Sequence, residues 1–256
     1  MAIEKIRLMY ENFWDIIYGE ILFSTEAADY IAEYTQNVWR ARCWRSTALT
    51  NQWLKRELYP STEYGVTSFI LDNHNFQDTA TVRIQANATD VWTAPSINQL
   101  LTWDAGKMMY FWDTPQYYRW WRLKITDSGN PDGYLKVGRC FLGGDFTPSR
   151  NFERSYTKIW VDPSVIRFSD SRNISARERT KFRRFAYSFE RITAADMSGF
   201  GTIWNLVGKF KPYFICQDSG DKFNKTYYVR NLNDWEIVHV LMDAQYDLTI
   251  EVEEAR

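Results

Sequence analysis

Through most of this chain hydrophobic and polar positions alternate in short runs, the period of strands that bury one face. The pattern is clearest from Arg42 to Gly144. Residues 67–71 (TSFIL) read as a buried strand closed by a turn at Asp72-Asn-His-Asn75. Residues 80–85 place Ala80, Val82 and Ile84 on one face and Thr81, Arg83 and Gln85 on the other. Residues 120–125 (WWRLKI) alternate likewise and end at the turn 127–133; residues 134–142 form the next strand, stopped by Gly143-Gly144. The stretch 143–149 (GGDFTPS) is the linker candidate, and strand-like runs resume at 158–161, 166–168 and 183–191. The period then lengthens. Thr193-Ala-Ala-Asp196 has the spacing of a capping box, with Asp replacing the preferred Glu. Met197, Phe200, Trp204 and Val207 follow at steps of three and four, with Ile203 beside them and Gly208 at the stop, which predicts one helix over about 193–208. Strands are expected again at 213–216, 225–232, 235–241 and 246–252. The lead segment has mixed signals, an extended hairpin piece over 15–24 and a short helix over 25–34. The expected fold is mainly β, in two sheet-built units with one helix.

Composition narrows this. A length of 256 residues holds one large domain or two ordinary ones, and 45% hydrophobic residues exclude general disorder. The unusual figure is 17% aromatic, which suits half-buried sheet surfaces and interfaces. A net charge of −1 gives no footprint for nucleic acid. Cys43, Cys140 and Cys216 form no CxxC pair and read as buried free thiols rather than zinc ligands or disulfide partners. No run of 18 apolar residues predicts a membrane span, and residues 1–23, with acids inside their apolar stretch and no small-residue cleavage site, are not read as a signal peptide.

Reactive chemistry finds little support. With only His74 and His239 there is no HExxH, no GxSxG elbow occurs, and Gly199-Phe-Gly201 lacks the third glycine of a phosphate loop. No catalytic residue, metal ligand or cofactor is assigned. Asp127, Asn130 and Asp132 offer oxygen ligands, yet a plain turn requires the same residues. N-x-S/T triplets at Asn87, Asn173 and Asn224 read as chance matches. The aromatic connections are the candidate binding elements. Trp92, Trp103, Trp112 and Tyr117 either stack on sugar or anchor a protein partner, or they fill a core. Phe200 and Trp204 on the helix are candidate interface residues, with packing against a sheet as the other reading. Paired acids of a glycosidase come from distant strands and leave no spacing to recognise, so that class stays as a rival.

Two family resemblances enter on these residues. Trp44-Arg-Ser46, Ser68 to Asn75, Ala80 to Gln85, Tyr118 to Ile125 and Leu135 to Gly143 follow in the order of a discoidin-like, galactose-binding-type jelly roll. Phe182 to Asp196, then a helix, then Lys211-Pro-Tyr-Phe-Ile215 resembles the distal-tail proteins of long-tailed phages. Together they imply a discoidin-like jelly roll over 39–146 and a tail-tube-like β-sandwich with one helix over 150–256, with residues 1–38 completing the latter. They also imply a structural virion protein, assembled in the bacterial cytoplasm, whose homo-oligomeric ring joins the tail tube to baseplate hub and tape-measure proteins at the tail tip. The alternative is a carbohydrate-binding module that attaches a tail or an enzyme to host surface glycans.

Overall fold

The computed structural model describes residues 5–15, 20–59, 64–153, 155–168, 170, 172, 174–240 and 245–255. Parts of the lead segment, Leu241 of the strand expected at 235–241, and Asn173 lie outside them. The chain divides into two compact units, one of residues 9–146 and the other of 147–255 with 5–8.

Among its described residues the first unit holds ten strands, β1 in part: β1 Arg7–Asn12, β2 Leu22–Phe23, β3 Trp44–Arg45, β4 Gln52–Glu57, β5 Val66–His74, β6 Thr81–Asn87, β7 Ile97–Leu100, β8 Lys107–Gln116, β9 Trp120–Thr126 and β10 Lys136–Phe146. One sheet has the order β2-β4-β9-β6-β7. Opposite it run β1-β10-β5-β8, with β3 also on β10. This is a jelly-roll sandwich of two antiparallel sheets. Between the sheets lie Leu54, Val82, Ile84, Trp121, Leu123 and Ile125 from one side and Phe69, Leu71, Met108, Val137, Cys140 and Leu142 from the other. Alternation produces this: every second residue of β4, β6 and β9 is buried, and β6 departs from it only at Gln85, which is buried as well.

Four expectations are corrected. Residues 72–74 do not turn. Strand β5 runs on to His74 because Asp72 and His74 are held inside it, Asp72 by Arg40 Nη2 at 3.0 Å and His74 by Asp104 O at 2.9 Å. Gly143-Gly144 does not end a strand either; β10 continues to Phe146. A Cβ on Gly143 would stand 2.0 Å from Glu11 O, so the glycine exists for the close approach of another backbone. The described residues of 9–38, expected to complete the second unit, fall in the jelly-roll unit. Phe13, Trp14, Ile21 and Ala32 belong to the jelly-roll core, Trp14 Nε1 donates to Thr35 Oγ1 at 2.9 Å, and buried Arg139 forks onto Asp15. Ala32–Gln36 is a 3₁₀ turn, where a short helix over 25–34 was expected.

The second unit continues with β11 Thr157–Val161, β12 Val165–Phe168, β13 Ile174–Arg177, β14 Phe182–Ile192, α1 Ala194–Val207, β15 Tyr213–Cys216, β16 Thr226–Asn231, β17 Ile237–Val240 and β18 Gln245–Glu254. Its sheet has the order β11-β14-β18-β16-β15, with β17 also on β18, while β12 and β13 pair with each other. Alternation in β14 buries Phe185, Tyr187 and Phe189. The helix forms as its capping box predicts: Asp196 N donates to Thr193 Oγ1 at 3.1 Å and Thr193 N to Asp196 Oδ2 at 3.2 Å. Asp196 also accepts from Ser149 N at 2.8 Å, which ties the start of this unit to the helix. Residues 5–8 join by Lys5 Nζ to Ser149 O at 2.8 Å and Ile6 N to Asn151 Oδ1 at 3.1 Å.

Two glycine substitutions should move stability in opposite directions in urea unfolding. Gly143→Ala should cost about 3 kcal/mol, because backbone rather than a flexible side chain must give way. Gly201→Ala, in the middle of α1 with nothing near its would-be Cβ, should add about 0.5–1 kcal/mol.

Candidate functional site

The outward face of the five-stranded sheet carries an ordered aromatic and charged layer. Alternation turns Trp53, Lys55 and Glu57 of β4 outward, and Trp120, Arg122 and Lys124 of β9 with them. Register sets Lys55 opposite Arg122 and Gln85 of β6 on the other side of Arg122. Lys55 Nζ lies 5.1 Å from the Trp53 ring and 5.4 Å from the Trp120 ring, inside cation–π range. Arg122 donates twice to Gln85 Oε1, at 2.8 and 2.6 Å, and Gln85 Nε2 donates to Asn98 Oδ1 of β7 at 2.9 Å.

The connection 88–96 completes the layer. Asp90 accepts from Lys55 Nζ and from Trp92 Nε1, both at 2.5 Å, and the Trp92 ring lies 4.2 Å from the Arg122 guanidinium carbon. Burial would raise the Asp90 pKa, but the Lys55 and Trp92 hydrogen bonds and the Lys55 and Arg122 charges outweigh it, so the carboxyl titrates below its usual range. Burial lowers the pKa of Arg122, against the pull of Asp90. The connection is itself held by Asn87, whose Nδ2 donates to Val91 O at 2.6 Å and whose Oδ1 accepts from Ala88 N at 2.9 Å and Ser96 Oγ at 3.1 Å. Rings, a fixed carboxylate, a forked guanidinium and two amides thus share one face. Flat apolar faces flanked by planar hydrogen-bonding groups suit a pyranose ring, which presents C–H on its faces and hydroxyls at its edge.

Only Trp92 of the four aromatic candidates belongs to this layer. Tyr117, 54% exposed, lies at the same end of the sandwich as 88–96 but over Gly65. Trp103, 38% exposed, sits at the opposite end with Nε1 bonded to Phe76 O at 2.9 Å. Trp112 is not in a loop. It lies on β8, half-buried, and packs edge-on against Tyr110 and Trp121, with centroids 5.0 and 5.5 Å away, so it covers the core. On α1, Phe200 is fully buried against Phe189 and Trp235 and offers no surface to a partner; Trp204 is half-buried on Trp235, centroids 5.3 Å apart. Trp53, Lys55, Asp90, Trp120 and Arg122 were not singled out by sequence. Alternation marks the face of four of them, but no pattern says that Asp90 and Trp92 fold back over it.

At the end where Trp103 lies, the 127–133 loop is internally tied. Asp127 Oδ2 accepts from Gln77 N at 3.0 Å and Asn130 Nδ2 at 2.9 Å, and Asp132 accepts from Asn75 Nδ2 at 2.8 Å. Among the described residues no group of three or more His, Cys, Asp and Glu side chains is placed to hold a metal ion. Cys43, Cys140 and Cys216 are free and buried. No helix among the described residues is long and apolar enough to cross a membrane.

No family model matches the chain, and no curated protein does. Among solved structures, it is similar to the family 32 carbohydrate-binding module of C. perfringens NanJ in complex with galactose, at 9% identity and TM-score 0.39, over 54% of this chain and 98% of that one. A chitosan-binding module from a Paenibacillus chitosanase/glucanase matches at 16% identity and TM-score 0.37, over 49% and 94%. A fucolectin from striped bass (Morone saxatilis) serum matches at 10% and 0.39, over 93% and 91%. The jelly-roll fold of residues 9–146 stands on its own strand order and register, and no residue role is carried over from these structures.

His74 gives a pH test of the tied end. Burial pushes its pKa down to about 4, with the Asp104 carbonyl and carboxylate working the other way. The folded state therefore holds the ring neutral while the unfolded chain protonates near 6.5. Stability from this residue is complete above pH 6.5 and is lost as pH falls from there to about 4, by about 3 kcal/mol at most. In urea titrations across that window, His74→Gln should remove this part of the slope.

Proposed function

We propose that this chain is a non-catalytic attachment protein whose jelly roll binds a surface glycan through the outward face of its five-stranded sheet. The Trp92–Asp90–Lys55 and Arg122–Gln85–Asn98 network carries the reading, because it fixes stacking rings and hydrogen-bonding groups on one surface before any ligand arrives. Trp53 and Trp120 supply platforms for sugar faces, while Asp90, Arg122 and Asn98 take the hydroxyls. The setting suggested by the sequence resemblance is the tail tip of a phage virion, where glycan contact holds the particle to a bacterial surface.

A second reading, a purely structural ring component between tail tube and tip proteins, is favoured by one observation. The second unit leaves Ile159, Trp160, Ile166, Phe168, Ile174, Phe210 and Ile237 exposed, and exposed apolar side chains of this size are material for an interface. The two readings are compatible, with the jelly roll displaying a binding face and the other domain holding copies together.

Screening the purified protein on arrays of bacterial polysaccharides and host glycans, followed by calorimetry on any hit, tests the first reading. Trp92→Ala and Trp53→Ala should each weaken binding about tenfold or more, and Trp103→Ala, at the other end, should leave it unchanged. An absence of binding across broad arrays, or affinity indifferent to both variants, would leave only the structural reading.

A further inference from the structure

We propose that copies of this chain associate head to tail, the basic β12–β13 hairpin of one copy seating on the acidic β17 edge of the next. This rests on the assembly reading above and names its surfaces.

The hairpin is the starting point. Its strands pair with each other in register from Val165 opposite Arg177 to Phe168 opposite Ile174, and with no other strand among the described residues. Every residue in both strands is exposed, including Ile166 at 59%, Phe168 at 69% and Ile174 at 68%. Two strands alone in water are marginal. A hairpin with three large apolar side chains in solvent is a structure awaiting a surface.

The complementary surface lies within the same unit. Strand β17 uses one edge to pair with Gln245–Leu248 of β18 and leaves Ile237 and Val238 about half exposed. Charge makes the match specific. Residues 165–181 contain Arg167, Arg172, Arg177, Arg179 and Lys181 against Asp170 and Glu178. The described residues of 232–251 include Asp234, Glu236, Asp247 and Glu251 and no Lys or Arg. The local ion pairs do not cancel this. Lys209 to Asp234 at 2.8 Å and Lys181 to Asp162 at 3.6 Å join exposed side chains and are worth little.

The two patches lie toward opposite ends of β14. The hairpin precedes β14 at its Phe182 end, whereas β17 lies beside the part of β18 that faces Phe189 and Ile192. Eleven extended residues separate the ends of β14 by roughly 35 Å. Patches this far apart let each copy meet two different neighbours at once. They make a heterologous contact, which closes into a ring or runs on as a filament.

Sedimentation velocity on the full chain tests this. The wild type should self-associate at micromolar concentration, more weakly as salt rises from about 50 to 500 mM. Arg167→Glu with Arg177→Glu should weaken association at least tenfold, and so should Asp234→Lys with Glu236→Lys. Each variant alone should stay dissociated, whereas the two mixed should assemble beyond dimers, since the native pair of patches and the charge-reversed pair both match. All four changes in one chain should restore assembly. Circular dichroism checks folding, which surface changes of this kind should not disturb. Wild-type assembly untouched by either pair would overturn the proposed surfaces and leave the assembly reading standing. A wild type that stays monomeric at hundreds of micromolar would overturn both.

Discussion

The jelly roll depends on how closely β1 approaches β10. The Glu11 carbonyl oxygen occupies the place where any side chain at Gly143 would begin. That proximity lets Asn12 bond both ways with β10, donating to Cys140 O at 2.8 Å and accepting from Leu142 N at 2.8 Å. With β1 held there, Phe13 and Trp14 enter the core and Asp15 reaches the guanidinium of Arg139. Removing one partner of a buried pair of this kind is far costlier than the net worth of the pair, so the lead segment and β10 are obligate neighbours. The lead segment is part of the domain for these reasons.

Elements with a clean period were legible in the sequence, and their physical cause is plain. Strands β6, β9 and β14 each bury alternate residues, and helix α1 starts at a cap whose two reciprocal bonds were readable from Thr193 and Asp196. Strand β8 was not legible. Its residues Tyr110-Phe-Trp-Asp-Thr-Pro show no alternation, and it exists because β5 offers it a ladder from Asp72–Lys107 to Val66–Gln116. Hairpin strand β13 was missed for the opposite reason: Ile174-Ser-Ala-Arg177 buries nothing, so no hydrophobic period marks it. Asp72-Asn-His-Asn75 and Gly143-Gly144 misled because polar and glycine residues usually punctuate. Here the first pair of side chains is paid for by specific partners, and the second by a neighbouring backbone.

The candidate site was half legible. A tryptophan in a polar connection is a fair sign of an exposed ring, and Trp92 fits it. Its partners are spread over β4, β6, β7 and β9, and only sheet register brings Lys55, Arg122, Gln85 and Asn98 together. One sequence feature could have helped. Trp120 and Trp121 are adjacent, so in a strand one must face the core and the other the solvent side, which is how they lie.

The way Asn87 staples residues 88–96 has a kinetic consequence. A flexible connection must surrender conformational freedom on each encounter, whereas this one is fixed beforehand by three bonds from a single amide. On the proposed glycan-binding role, association at this face should then be governed by diffusion and orientation. Differences in affinity among ligands would reside in how long each stays bound, and many short-lived contacts along a repeating polymer would let a multivalent particle creep across a surface without detaching.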